Sequence, residues 1–454
     1  MRKFLALAAI LALSISLMTG CRTNSEIDLN KVPNYLKEVY PILKSEGIKV
    51  SYNPYEPDNV KIVSHVSVPD LRNELKKNKF PASWVKTSIE LPKNEIVETS
   101  YFSDTKNGYA VSTKRIFAGV GYKTVLDLYK IEKGVPHLSA TLDKVPDVVN
   151  ASGGSIGNFS PQINGNFVVW LAGYESDVIG NYHIWAYSIN KREFFDVASS
   201  DDSPHDGCIL DGSCNPLYHL YHDNKLIVQT VFKDATSNEV FTRIKLYDLN
   251  TKESEILVLS KDYNYIVEIG GYNSALANNI LFVTRCKLYQ TEEDNKKFAS
   301  FTDVANREVV QIDLKTKEIS PIIPKYFIVY GSLDGRVLLL AFSPDYNYHD
   351  IWLYNPVNKT LECILKVPIG GVTDPMQYYL LTPDVYLLNR GLTFFRIGWD
   401  YIIPEYYFSF AKKKLFYLGN FIPSSDGNYL IVYGEASESE PPKETITYLL
   451  VQCG

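Results

Sequence analysis

From about residue 84 onward the chain alternates apolar and polar positions in short runs, each closed by a polar stretch. This is the period-two signature of strands with one buried face. One phrase recurs. Residues 124–134, 184–192, 244–252, 310–317 and 351–359 each place an apolar run before a polar turn that carries Lys or Gly. Residues 406–413 are a degenerate copy and residues 446–451 a truncated one. Upstream of most copies lies another apolar run, led by Gly165-Asn166, Asp223-Asn224, Asn278-Asn279, Asp334-Gly335 or Asp426-Gly427. Asn and Gly supply the positive φ that tight hairpins demand. Each unit thus reads as four antiparallel strands, and such units repeating every roughly forty to sixty residues predict an all-β fold, a β-propeller. Residues 101–454 hold seven blades of about 51 residues each, and the irregular sixth repeat leaves six or eight open. The last unit ends soon after its third strand. Residues 85–91 alternate as a strand does and are expected to pair with residues 446–451, which closes the ring and covers the exposed edge.

The chain before this point is patterned differently. Residues 21–83 read as a tether and N-terminal cap, a short mixed extension ahead of the propeller at 84–454. Residues 34–44 predict a helix that Pro41 kinks or divides. Residues 69–75 predict a second one, with Pro69 near its start. Residues 1–20 carry a basic start at Arg2 and Lys3, an apolar run over 4–18, and Met18-Thr19-Gly20 before Cys21. Basic, then apolar, then small is the order of a secretory signal, and the run is shorter than the ~20 residues of a spanning helix. The ending resembles the bacterial lipobox, with Met18 where the family usually has Leu. That resemblance implies a lipoprotein signal peptide over 1–20, acylation of Cys21, and a domain held outside the cytoplasmic membrane, or at the outer membrane in a Gram-negative cell. Two or more acyl chains hold firmly where one binds marginally. The repeats resemble the TolB-like propeller superfamily, whose blades carry Ser-Pro-Asp-Gly before the second strand and Tyr-Asp-Leu on the third. Ser425-Asp426-Gly427 and Tyr247-Asp248-Leu249 match these phrases best. The resemblance covers residues 95–454 and implies a fold, not an activity.

Composition narrows the reading. Hydrophobic residues make up 45% and charged residues 22% of the 454, an ordinary globular balance that excludes a disordered chain. Thirty-three Tyr and 21 Phe suit pleated surfaces. A net charge of −6 lacks the basic footprint of a nucleic-acid binder.

Candidate chemistry lies in the long loops at 174–182, 199–217, 287–306, 395–404 and 435–445, most of them taken to share one ligand face. The richest carries Asp201, Asp202, His205 and Asp206, then Cys208 and Cys214. Three carboxylates and a His can hold a metal, but the spacing matches no EF-hand, and a solvated acidic loop is the simpler reading. No metal or cofactor is therefore expected. Cys208 and Cys214 flank an Asp-Gly turn and are candidates for a disulfide in an exported protein. Cys286, Cys363 and Cys453 sit in apolar runs and read as buried small hydrophobes. His183 and His349, each ahead of a third strand, read as polar groups at blade edges. Gly153-Gly154-Ser155-Ile156-Gly157 has the Gly-x-Ser-x-Gly form of hydrolases. Pro161 argues against the helix that must follow such a serine. Trp170, Trp185 and Trp352 occupy repeat strand positions and read as core, whereas Trp399 and Tyr401 lie in a looser segment suited to ligand contact. The partners implied are a bilayer through Cys21 and a protein, peptide or envelope glycan on the loop face. Two functions follow: a non-catalytic binding or scaffold module, or a propeller enzyme, a lyase or hydrolase with a funnel active site. An enzyme requires titratable groups from several blades to meet in one pocket.

Overall fold

A computed structural model describes residues 27–55 and, with breaks, 84–143, 156–199, 216–288, 307–368 and 382–452. Cys21, the second expected helix at 69–75 and Cys453 lie outside the described residues. The described chain is almost all strand, with the α-helix Asn34–Ser45 near its start. Among the described residues no helix is long and apolar enough to cross a membrane.

The strands form successive antiparallel meanders over residues 95–142, 156–199, 217–260, 263–323, 327–368, 382–417 and 421–452. A short parallel contact, Lys123 beside Ile156 and Thr124 beside Gly157, merges the first two into one sheet. The strand Trp84–Glu90 joins the last meander. It runs antiparallel to Thr445–Gln452, with Trp84 opposite Val451 and Glu90 opposite Thr445.

The recurring phrase has a local cause. In the 217–260 meander, Asp248 Oδ1 accepts the backbone N–H groups of Asn250 at 2.9 Å and Thr251 at 3.3 Å. Lys252 then turns the chain at φ 62°. Asp313 does the same for Lys315 and Thr316, both at 2.8 Å, before Lys317 at φ 61°. Such side-chain turns are what short Asp and Asn residues favour. The next residue explains the Leu of Asp-Leu. Leu249 N–H donates to the Asn224 carbonyl at 3.0 Å, and Leu314 N–H to that of Asn279 at 3.0 Å. Each third-to-fourth-strand turn is thereby tied to the first-to-second-strand turn of its own sheet, and the Leu249 side chain is buried.

Consecutive meanders pack face to face. Val169, Leu171, Ile184 and Ala186 meet Tyr218, Leu226, Val228 and Tyr247. The other face of that third meander, with Ile227, Ile244 and Leu246, meets Leu281, Val283 and Val310. A polar clamp accompanies three of these junctions, second to third, third to fourth and fourth to fifth. Gln162 donates to the Tyr218 carbonyl at 3.0 Å and accepts Leu220 N–H at 2.7 Å. Tyr221 donates to Ser274, and Val329 N–H to Thr284 Oγ1 at 2.8 Å. These bonds satisfy groups that would otherwise be buried unpaired. Trp170 and Trp352 are fully buried core residues, and Cys286 and Cys363 are buried thiols.

Gly165 sits at the junction of the 156–199 and 217–260 meanders. Its φ is +58°, and a Cβ there would lie 2.7 Å from Asn224 Oδ1 in the next sheet. Gly335 has a similar φ of +69° with nothing within 4 Å. Gly335→Ala therefore meets backbone strain alone, about 1–2 kcal/mol. Gly165→Ala is expected to cost more, because Asn224 must also move. Urea unfolding of the two variants checks the order, and equal losses would remove the contact from the explanation.

The N-terminal extension docks far along the chain from its own position. The helix is one element despite Pro41, which sits inside it on the exposed side and does not divide it. Its stripe of Tyr35, Leu36, Val39 and Leu43 is buried against Ile323, Phe327, Val329 and Trp352. The strand Lys49–Tyr55 then adds in parallel to the outer edge of Thr360–Pro368, with Lys49 opposite Thr360 and Tyr52 opposite Cys363. A fifth strand there covers backbone groups that an edge would expose.

Candidate functional site

The residues expected to carry chemistry, Asp201, Asp202, His205, Asp206, Cys208, Cys214, Trp399 and Tyr401, all lie outside the described residues. What the described residues place together is a shallow recess at the junction of the 156–199 and 217–260 meanders, and the segment with the acidic loop leaves the chain immediately after it. Period-two geometry builds it. Arg243, Lys245 and Tyr247 share one face of the strand Val240–Asp248. Opposite them in register stand Thr230, Val228 and Leu226. Ala198 and Ser199, at the end of Glu193–Ser199, close the other side.

The recess is cationic. The Arg243 guanidinium lies 5.1 Å from the Phe232 ring centre, and Lys245 Nζ lies 6.0 Å from that of Tyr247, so aromatic faces support both charges. Thr230 is 9% exposed and belongs to the recess lining, and its hydroxyl oxygen is buried with no hydrogen-bond partner among the described residues. A buried hydroxyl without a partner costs about 1–3 kcal/mol. The space admits one small group, such as a water or one oxygen of an anion. Charge-assisted donors of this kind suit a carboxylate or phosphate oxygen. The signal in the sequence was a pair of cations at alternate positions, Arg243 and Lys245, in an otherwise apolar inner strand.

A second polar cluster joins the extension to the 327–368 meander. Asp350 is fully buried, and Tyr35 donates its hydroxyl to Asp350 Oδ2. Trp352 Nε1–H donates to the same Tyr35 oxygen at 3.1 Å, and Tyr52 reaches Asp350 Oδ2 at 3.4 Å. Burial, and then the Asp350 charge, push the Tyr35 hydroxyl and the Cys363 thiol well above their ordinary values. Cys363 is accordingly an inert buried thiol rather than a nucleophile.

At the rim of this docking surface Glu38 accepts from Lys325 Nζ and from Tyr326, both at 2.7 Å. The hydrogen bond from Lys325, and then that from Tyr326, hold the Glu38 carboxyl below its ordinary 4.5. The bond to Glu38, followed by burial, lifts Tyr326 from 10.0 to about 12. The Glu38 contribution is present above pH 4.5 and is lost as pH falls through its lowered value. The Tyr326 contribution is present below pH 10.0 and is lost as pH rises through about 12. Helix docking is therefore expected to be firmest between these limits and to weaken on both sides. Amide exchange of residues 34–45 against pH reads this, and a flat profile would contradict it.

Elsewhere, His183 Nδ1 pairs with Asp196 Oδ2 at 2.6 Å on the neighbouring strand, and its ring stacks on Trp185. Among the described residues no group of three or more His, Cys, Asp or Glu side chains is placed to hold a metal ion.

No family model matches the chain. No curated protein matches it either. Solved structures do. An acylaminoacyl peptidase from Pyrococcus horikoshii is 12% identical, with a TM-score of 0.46 over 80% of this chain and 52% of that one. The β-propeller domain of the trilobed protease from Pyrococcus furiosus is 9% identical, with a TM-score of 0.46 over 79% of this chain and 96% of that one. TolB from Acinetobacter baumannii is 11% identical, with a TM-score of 0.35 over 76% of this chain and 81% of that one. The chain spans about half the length of the acylaminoacyl peptidase.

Proposed function

We propose that this chain is a lipid-anchored, extracytoplasmic β-propeller of seven four-stranded blades that works as a non-catalytic binding or scaffold module. The run of four-stranded meanders packed face to face supports the propeller, and the antiparallel pairing of Trp84–Glu90 with Thr445–Gln452 supports its closure through the last blade. The lipobox-like Met18-Thr19-Gly20-Cys21 supports the anchor.

One observation carries the binding reading. Arg243, Lys245 and Thr230 line one recess between the second and third meanders. That set of donors would receive an acidic group borne by a protein, peptide or envelope glycan. Calorimetry of the intact protein with an oligoglutamate peptide and with inorganic phosphate tests it. One probe is expected to bind, and Arg243→Gln with Lys245→Gln should weaken it at least about tenfold, since hydrogen bonds to charged groups contribute about 1.5–3 kcal/mol. Binding of neither probe, or unchanged affinity in a double variant that melts normally, would refute the reading. The anchor is tested separately: Cys21→Ala should abolish incorporation of labelled palmitate.

A further inference from the structure

The outer strand of the 217–260 meander carries two exposed apolar residues beside the cationic recess. Glu253–Ser260 ends its sheet, and among the described residues no strand pairs with its outer edge. Ile256 is 46% exposed and Leu259 55%. Three positions apart on a regular strand, they would face opposite ways. A bulge brings them together. Lys245 stands opposite Ile256 and Ile244 opposite Val258, so Leu257 is extra, and Arg243 then stands opposite Leu259. Directly opposed residues project on one face of a sheet, so Ile256 and Leu259 share the face of Lys245 and Arg243. The cations of the recess thus pass outward into an apolar rim at the edge of the sheet.

The 327–368 meander shows what such a place can hold. The same bulge sets Trp352 opposite Cys363 and Asp350 opposite Lys366, so Asp350 corresponds to Arg243, Trp352 to Lys245 and Cys363 to Ile256. There the place is filled by the chain's own extension. The strand Lys49–Tyr55 adds along the outer edge, and Tyr52, opposite Cys363, reaches across to Asp350 Oδ2 at 3.4 Å. A strand laid on the edge can therefore deliver a side chain to the recess position two strands away. Three other meanders differ at this place. Asp196 and Pro321 stand where Ile256 does in the 156–199 and 263–323 meanders, and a charge or a Pro on an edge discourages strand addition. The 95–142 meander has Leu138 there, but Asp127 in the place of Arg243.

We propose that the outer edge of Glu253–Ser260 receives an extended segment of a protein partner, added as a further strand, with an acidic side chain towards Arg243 and Lys245 and apolar ones against Ile256 and Leu259. This rests on the acidic-group recognition proposed above and names the bearer of that group, and the test separates the two. The probes are the capped peptide Thr-Leu-Thr-Glu-Thr-Leu-Thr, whose Glu and Leu side chains share one face of a strand, and its analogue with Thr for both Leu. Calorimetry with the intact protein should show the Leu peptide binding at least about fivefold tighter than the analogue, through the apolar area it buries. That advantage should vanish in the double variant Ile256→Ser with Leu259→Ser, two exposed positions whose replacement spares the core. Amide exchange over 253–260 should slow severalfold in the peptide-saturated protein, while that over 319–323, the outer strand of the next meander, should not change. Equal affinity of the two peptides, an advantage that survives in the double variant, exchange unchanged at 253–260, or slowing at both strands overturns the edge site and leaves the cationic recess standing. So does failure of both peptides where oligoglutamate or phosphate binds. Failure of oligoglutamate and phosphate as well refutes the recess, and this inference falls with it.

Discussion

Tyr35→Ala should be among the most damaging single substitutions available in this chain, lowering stability by about 3–5 kcal/mol. The ring is 1% exposed and is wedged between the helix and the 327–368 meander. Its hydroxyl also serves two buried partners, donating to Asp350 and accepting from Trp352 Nε1–H at 3.1 Å. Removing it leaves a cavity and strips one hydrogen bond from each partner. Tyr35→Phe keeps the ring and loses only the bonds, so about 1–3 kcal/mol is expected. The difference between the variants divides packing from polar contribution. Where the loss falls is equally informative. If the extension unfolds by itself, limited proteolysis should cut between residues 46 and 56 while the blades stay protected. If the whole domain unfolds together, the thermal midpoint should fall by about 10 °C, at roughly 2–4 °C per kcal/mol for a domain of this order of size. Wild-type behaviour of Tyr35→Ala in both assays would mean the cluster contributes nothing to docking.

Removing the strand Trp84–Glu90 should be more disruptive still. It is the outer partner of Thr445–Gln452 in a continuous register from Trp84 opposite Val451 to Glu90 opposite Thr445. Without it the 421–452 meander presents a full edge of unpaired backbone groups, which invites pairing with another chain. A protein lacking residues 84–90 is expected to melt more than about 10 °C lower, as a loss of several kcal/mol implies. It should also run as dimers or larger species by size-exclusion chromatography. A monomer with an unchanged midpoint would show that terminal pairing is dispensable. The sharper control keeps the length and replaces the segment with Gly and Ser, so that only the pairing is lost.

Some of this was legible in the residues. Turns and strands are local, so Asn279 and Gly335 at positive φ and the burial of Trp170 and Trp352 follow from spacing and alternation. The terminal strand was visible for a related reason: a last repeat short of a strand needs one from elsewhere. Alternation also fixed which residues turn from solvent, since a one-residue slip would move a whole apolar set to the other face.

Tertiary structure alone decided which neighbour covers each face. Nothing local says that Tyr35 meets Asp350, because the two are 315 residues apart and their bond exists only once the extension has docked on the 327–368 meander. The parallel addition of Lys49–Tyr55 to Thr360–Pro368 was invisible for the same reason: strand pairing is selected by a free edge and a covering core, neither of which is encoded in the joining segment. Arg243 and Lys245 read as ordinary outward charges until the second blade is laid against them and leaves Thr230 facing the same recess. The period of the sequence sets the strands, their turns and the inward face of each strand. The partners across each junction, and the polar groups trapped there, follow from long-range packing that only the assembled sheets define.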